Sequence, residues 1–231
     1  MDAVDTLVFD VMGTVVDDEH DRQDQAAALL SASGVDATKV SVLLRTWAEM
    51  VDARMHAIRD GHLPWQGHRS IRRVTLQEAL SQSGVSLDPD LVDELSGLIH
   101  RLRPWPDSAD ALATLRRSFK VVALSNADPA ELIGLSAAGG LAWHGVLSAG
   151  LAQSFKPDPK VYRMALDQLD VDASRVMMVA AHPWDLRAAA REGFATAYIG
   201  RPNAERPSAE DHFTVIAEDL SDLARILSTP L

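Results

Sequence analysis

Cysteine is absent from the 231 residues, which excludes disulfides, thiolate nucleophiles and cysteine-ligated metals. Positive charge is scarce. Against 33 Asp and Glu stand 22 Lys and Arg, a formal net charge of −11, so general attraction to nucleic acid is not expected. Long apolar runs are missing too. No stretch approaches 18 apolar residues, so no membrane span is expected. The N-terminus enters a strand pattern without the basic and apolar segments of a secretory signal. The expectation is a soluble cytoplasmic protein without nucleic-acid or membrane partners. Its 47% hydrophobic content supports a sizeable core, as one large domain or a core with a smaller attached domain.

One further absence is local. Asp10 closes the apolar run Leu7-Val8-Phe9 and is followed by Val11-Met12-Gly13-Thr14. A carboxylate is thereby placed at the C-terminal end of a buried strand, before a glycine-permitted turn, where open parallel sheets bind ligands. Met12 can neither accept nor donate a proton, so no carboxylic acid two residues on can protonate a leaving group.

Periodicity divides the chain into three parts. The strand near Val4 to Asp10 is apolar on both faces, as inside a parallel sheet. From Asp17 to Arg103 the pattern is helical: Ala26 to Leu30, the stripe Val40/Leu44/Trp47/Val51, Val74 to Leu80, and Leu91 to Leu102. Breaks fall at Ser33-Gly34, Gly61 to Gly67 and Ser83 to Asp90. After Pro104-Trp105-Pro106, strands and helices alternate. Strands are expected at Val121 to Leu124, Val146 to Ala149, Val176 to Val179, Ala195 to Ile199 and Phe213 to Ile216. Helices are expected from Glu131, over Pro159 to Leu169, over Asp185 to Glu192, and at the C-terminus. The pattern implies an α/β fold, a doubly wound parallel sheet (residues 1–16 and 104–231) with an all-helical domain (17–103) inserted after the first strand.

Further strand ends and loops carry Ser125-Asn126, Lys156 within Ser154-Phe-Lys-Pro-Asp-Pro159, and His182 and Asp185 within Ala180-Ala-His-Pro-Trp-Asp185. In this order the residues resemble the haloacid dehalogenase superfamily. Its nucleophilic Asp, Ser/Thr, Lys and acidic strand-end motif correspond to Asp10, Ser125, Lys156 and Asp185, and its cap domain lies where the helical insert does. Many members of that superfamily are Mg²⁺-dependent phosphatases, with a second Asp two residues after the nucleophile and an acidic metal ligand in the fourth motif. Here those places hold Met12 and Ala181. An alkoxide leaving group needs a proton and charge neutralisation, whereas a halide needs neither. The chain therefore resembles the (S)-2-haloacid dehalogenases most, and no metal or cofactor is implied. Leu124-Ser125-Asn126, the Lys156-to-Tyr162 spacing and Trp184-Asp185 support the match. Ala180-Ala181-His182 departs from that branch's Ser-Ser-Asn.

The resemblance implies attack by Asp10 on the α-carbon of a short 2-haloalkanoate, giving an ester that water hydrolyses to the 2-hydroxy acid. Substrate carboxylate and nucleophile repel by on the order of 4 kcal/mol at about 4 Å, and Lys156 is the cation expected to offset this. Thr14 fixes Asp10. Ser125 and backbone N–H groups near Val11 and Met12 hold the carboxylate, Arg45 and Asn126 the halide. Asp185, with His182, orients or deprotonates water. Arg45 flanks the apolar stripe of its helix and is expected to face the cleft, with Arg54, Arg59, Arg69, Arg72 and Arg73 as competitors. Tyr162 is expected at the site by family spacing, and Trp65, in Pro64-Trp65-Gln66, as a pocket wall. A homodimer is implied by resemblance alone. The rival readings are a phosphatase or phosphotransferase, and a catalytically idle binding protein of the same fold.

Overall fold

The structure, a computed structural model, describes residues 4–202 and 204–228. Residues 1–3, 203 and 229–231 of the expected core segments lie outside the described residues. Six strands form one parallel sheet: β1 (Thr6–Phe9), β2 (Lys120–Ser125), β3 (Gly145–Ser148), β4 (Val176–Ala180), β5 (Ala195–Ile199) and β6 (Val215–Ala217), in the order β3-β2-β1-β4-β5-β6. All residues of β1 and β4 are buried, which explains their unbroken apolar pattern. β1 sits between β2 and β4, with Phe9 opposite Ala123 on one side and Val179 on the other. Asp10 thus emerges at the centre of the sheet's C-terminal edge.

The insert that follows β1 holds four helices: α1 (Glu19–Ala32), α2 (Ala37–Arg59), α3 (His68–Ser83) and α4 (Pro89–Ser96). They bury an apolar cluster of their own, including Leu43, Trp47, Ile71, Leu76 and Leu95, which Phe155 joins from the sheet side. Inside it Arg72 lies 4.7 Å from the centre of the Trp47 ring and donates to the Ser96 carbonyl; burial lowers its pKa to about 10. Covering the sheet are α5 (Ser108–Leu115), α6 (Pro129–Gly139), α7 (Pro159–Leu169), α8 (Pro183–Arg191) and α9 (Leu220–Ser228).

Two expectations change. The apolar run from Leu91 to Leu102 is not one helix: α4 ends at Gly97 and a 3₁₀ turn, Leu98–Arg101, follows, because glycine holds helix poorly. Helix α5 was not anticipated; its eight residues are too few for periodicity to register. Strands β3 and β6 lie within two residues of their expected places.

Asp-Pro pairs start α4, α6 and α7, with Pro at a first-turn position that needs no N–H. Asp128 has a second role. Helix α3 begins after Gly67, which has no capping side chain, and Asp128 accepts the N–H groups of His68 (3.1 Å) and Arg69 (2.9 Å) in its place. A Cβ on Gly67 would lie 3.0 Å from that carboxylate, so the glycine permits the approach. The connections into and out of the helical insert are paired, with Asp17 N–H on the Arg103 carbonyl at 3.0 Å and Arg103 on buried Asp21. Because Asp128 caps a helix across the two apolar clusters, Asp128→Ala is expected to lower stability by about 1–2 kcal/mol, read from urea denaturation.

Candidate active site

Each strand end at the centre of the sheet delivers one part of the site. Asp10 follows β1, with its N–H on the Val179 carbonyl at 2.9 Å. Gly13, at φ +75°, turns the chain so that the Thr14 hydroxyl donates to Asp10 Oδ2 at 2.6 Å while accepting the Ala181 N–H at 2.9 Å. The turn's carbonyls are held from elsewhere. Trp105 Nε1 donates to Gly13 O, Arg201 Nε to Thr14 O, and Ser108 Oγ to Val15 O.

From β2 come Ser125, buried, and Asn126, whose Oδ1 accepts the Lys156 N–H at 2.7 Å, leaving its amide nitrogen as the free donor. Lys156 Nζ donates to Asp10 Oδ1 at 2.7 Å and to Asp185 Oδ2 at 2.6 Å. All three side chains are almost fully buried. Tyr162 donates to Asp185 Oδ1 at 2.5 Å. The His182 ring reaches Asp10 Oδ2 through Nδ1 at 3.0 Å and occupies the space a Cβ on Gly13 would fill, 2.9 Å from Cε1. Glycine is therefore required there twice, for the backbone angle and for the ring.

The electrostatics follow from this packing. Burial disfavours the Asp10 charge, but Lys156 and then His182 outweigh it and hold the carboxyl well below the usual range. Asp185 moves the other way. Its burial and the neighbouring Asp10 charge raise its pKa against Lys156 and Tyr162, as expected of two carboxylates sharing one cation. Burial opposes the charge on Lys156, yet its two carboxylates raise its pKa. Burial also opposes a charged His182, and Asp10 raises it nonetheless. Burial and Asp185 push the Tyr162 phenol up, so it remains a donor.

A cleft of about 450 Å³ opens over Asp10, lined from the sheet side by Met12, Gly13, Ser125, Asn126, Lys156 and His182. The helical insert contributes Asp17, Asp18, Glu19, Arg22 and Asp52. Of the expected residues, Asp10, Thr14, Ser125, Asn126, Lys156, Asp185 and His182 come together, with Met12 on the wall.

Thr14 and Asp185 are bonded behind the lining, and four others do not line the cleft either. Arg45 is 71% exposed and lies beside Glu49 at 4.0 Å; α2 turns Ala48 and Asp52 to the cleft, so a residue one turn earlier points past its edge. Trp65 instead packs on Phe155, ring centres 4.9 Å apart. Tyr162 is sealed behind Asp185 and positions that carboxylate rather than touching a ligand. The Val11 side chain belongs to the core beneath the sheet edge. The sequence reading also missed Arg22, Arg201, Trp105 and Trp184, all cleft residues. Arg22 donates to Asp18 at 3.1 Å. Arg201 Nη1 binds Asp107 at 2.9 Å, while its Nη2 is buried without a protein partner. Only the Trp184-Asp185 pair carried a sequence signal.

Met12, two residues after Asp10, and Ala181, directly after β4, offer no oxygen ligand to a divalent cation, and the oxygens of Asp10 and Asp185 are taken by Lys156, Thr14, His182 and Tyr162. The residues present do not fit Mg²⁺. Among the described residues no group of His, Asp and Glu is arranged to hold a metal, and no helix is long and apolar enough to cross a membrane.

A family model of haloacid dehalogenase-like hydrolases matches residues 4–193. The (S)-2-haloacid dehalogenase 1 of Pseudomonas sp. (strain CBS-3) is 30% identical over 235 residues, covering 98% of this chain and 96% of that protein. The solved structure of the L-2-haloacid dehalogenase PA0810 is 34% identical with a TM-score of 0.87, over 97% of this chain and 99% of that one. That of the defluorinating L-2-haloacid dehalogenase Rha0230 is 28% identical with a TM-score of 0.89, over 98% and 96%.

The raised His182 pKa has a measurable sign. Its pair with Asp10 contributes fully below the imidazole's ordinary pKa and is lost as pH rises through the raised one. Urea midpoints should therefore fall as pH rises above the imidazole's ordinary 6.5, and His182→Asn should flatten that fall.

Proposed function

The chain belongs to the haloacid dehalogenase-like hydrolases, and from that premise we propose that it hydrolyses 2-haloalkanoic acids to 2-hydroxy acids through an ester on Asp10, without a metal. The observation that carries the reading is the division of donors on Asp10. Oδ2 accepts two, from Thr14 and His182, whereas Oδ1 accepts Lys156. Oδ1 is then the attacking oxygen. It forms a bond to the α-carbon as the carbon–halogen bond breaks, and the halide leaves with the bonding pair. A halide needs no proton, which agrees with Met12 and Ala181 at the positions where an acid would otherwise stand.

Oδ2 becomes the ester carbonyl oxygen. When water attacks the Asp10 carboxyl carbon, negative charge develops on Oδ2, where the Thr14 hydroxyl and the His182 ring already point as an oxyanion site. Collapse releases the 2-hydroxy acid and restores the carboxylate. The water's proton leaves through the cleft to solvent, while Asp185, bonded through both oxygens to Lys156 and Tyr162, orients Lys156 on Asp10 rather than meeting the water itself. In this reading His182 acts as a donor, a different task from the water activation its sequence position implied. Lys156, Ser125 and Asn126 remain the groups proposed to receive carboxylate and halide, with Arg22 in place of Arg45 as the arginine of the helical insert nearest the reaction. Residues 17–103 serve as the cap. A cytoplasmic setting and a homodimer accompany the reading, as the resemblance implies.

Chloride release from 2-chloropropionate in excess chelator tests the proposal. Stoichiometric chloride and lactate are expected, with loss of about three orders of magnitude or more in Asp10→Asn. Repeated turnover in ¹⁸O-water should place label in Asp10. Phosphate-ester hydrolysis that appears only with Mg²⁺, or product formed without label in Asp10, would overturn it. Because a charged imidazolium stabilises the developing oxyanion more than the neutral ring does, kcat/KM should fall as pH rises through the raised imidazole pKa, and His182→Asn, whose amide cannot titrate, should lose that basic limb. An unaltered limb would remove His182 from the oxyanion site.

A further inference from the structure

The cleft over Asp10 does not end at Lys156. A second chamber of about 390 Å³ adjoins it, and Asp52, Asn126, Lys156 and Trp184 face both. The two differ in chemistry. The first is walled on its cap side by Asp17, Asp18, Glu19 and Asp52. The second is apolar where it meets the sheet and helices, with Met55, Phe155, Pro157 and Trp184, and carries His56 and Arg59. Phe155 is held in place by Trp65, so this wall is backed by packed aromatic side chains.

Size and polarity point the same way. A 2-halopropionate has six non-hydrogen atoms, at most about 30 Å³ each and roughly 180 Å³ together, less than half of the first cavity alone. Hydrocarbon gains less from the first lobe, where Asp17, Asp18 and Glu19 stand among its walls, than from burial against Met55, Phe155 and Pro157 in the second. With the α-carbon at Asp10, a substituent directed past Lys156 and Asn126 enters the second chamber.

We propose that this chamber receives the α-substituent, so that the preferred substrates are 2-haloacids bearing an apolar chain of several carbons. The proposal rests on the dehalogenase reading above and names the substrate class of that same site. Each methylene removed from water is worth roughly fourfold, and imperfect burial reduces the product over a chain.

The test compares kcat/KM for 2-bromohexanoate and 2-bromopropionate, alongside calorimetric binding of halogen-free hexanoate and propionate. The longer chain should be favoured by tenfold or more in both. Met55→Trp, which fills the chamber, should lower the hexanoate-to-propionate ratio at least tenfold. Met55→Ala, a change more easily folded, should move the optimum toward longer chains. Equal or better use of 2-bromopropionate, or ratios that neither variant changes, would overturn the proposal. If neither bromoacid is dehalogenated the function reading fails instead, while the hexanoate and propionate affinities still decide whether the chamber takes the chain.

Discussion

One ammonium group, Lys156 Nζ, lies between two almost fully buried carboxylates, of which Asp10 borders the cleft. Removing the ammonium would leave two buried carboxylates facing each other without the cation between them, a cost of several kcal/mol. The arrangement holds only because β1, β2 and β4 are adjacent and end at one level, and because Asn126 fixes the Lys156 backbone. The charge pattern is asymmetric. Asp10 has a second cationic neighbour in His182 and is held ionised. Asp185 has Asp10 as a neighbour and is pushed toward protonation. Similar groups a few ångströms apart thereby acquire opposite shifts.

Around this centre the fold is organised to keep a short loop still. Residues 13 to 15 have their carbonyls bonded by Trp105, Arg201 and Ser108, side chains far away in sequence. Two of them follow directly on the return from the helical insert, so the exit of that insert is tied to the turn after Asp10. The insert in turn is seated by Asp128, a residue of the sheet side that completes the start of α3. The wall of the cleft and its floor are thus mechanically joined by hydrogen bonds whose partners are themselves fixed.

Legibility in the sequence followed local physics. Asp10, Ser125, Lys156 and Asp185 could be found because each ends a buried apolar strand, precedes an Asp-Pro helix start or sits in the first helical turn after a strand, signals contained within a few residues. Met12 and Ala181 were informative as absences for the same reason. Arg45 illustrates the opposite case. Its position off an apolar stripe says that it is not core, but two thirds of a helix surface satisfies that condition, and the insert's docking turned Ala48 and Asp52 inward instead. Trp65 and Tyr162 were correctly associated with the neighbourhood of the site, yet both stand one layer behind it, which no spacing distinguishes from contact. Arg201, 191 residues from Asp10, carries no local signal at all.

By itself, the chain's pattern of apolar strands, helical stripes and turn residues determined the parallel sheet, the place of the helical insert and the identity of the charged residues at the strand ends. Those are consequences of period, burial and backbone preference acting over short windows. What only the tertiary structure decided is the partnering: that one lysine serves two aspartates, that His182 donates to the same oxygen as Thr14, and that a second, apolar chamber opens beside an acidic one. Hydrogen bonds at such range depend on the angles at which packed elements meet, and those angles arise from the summed packing of the whole molecule.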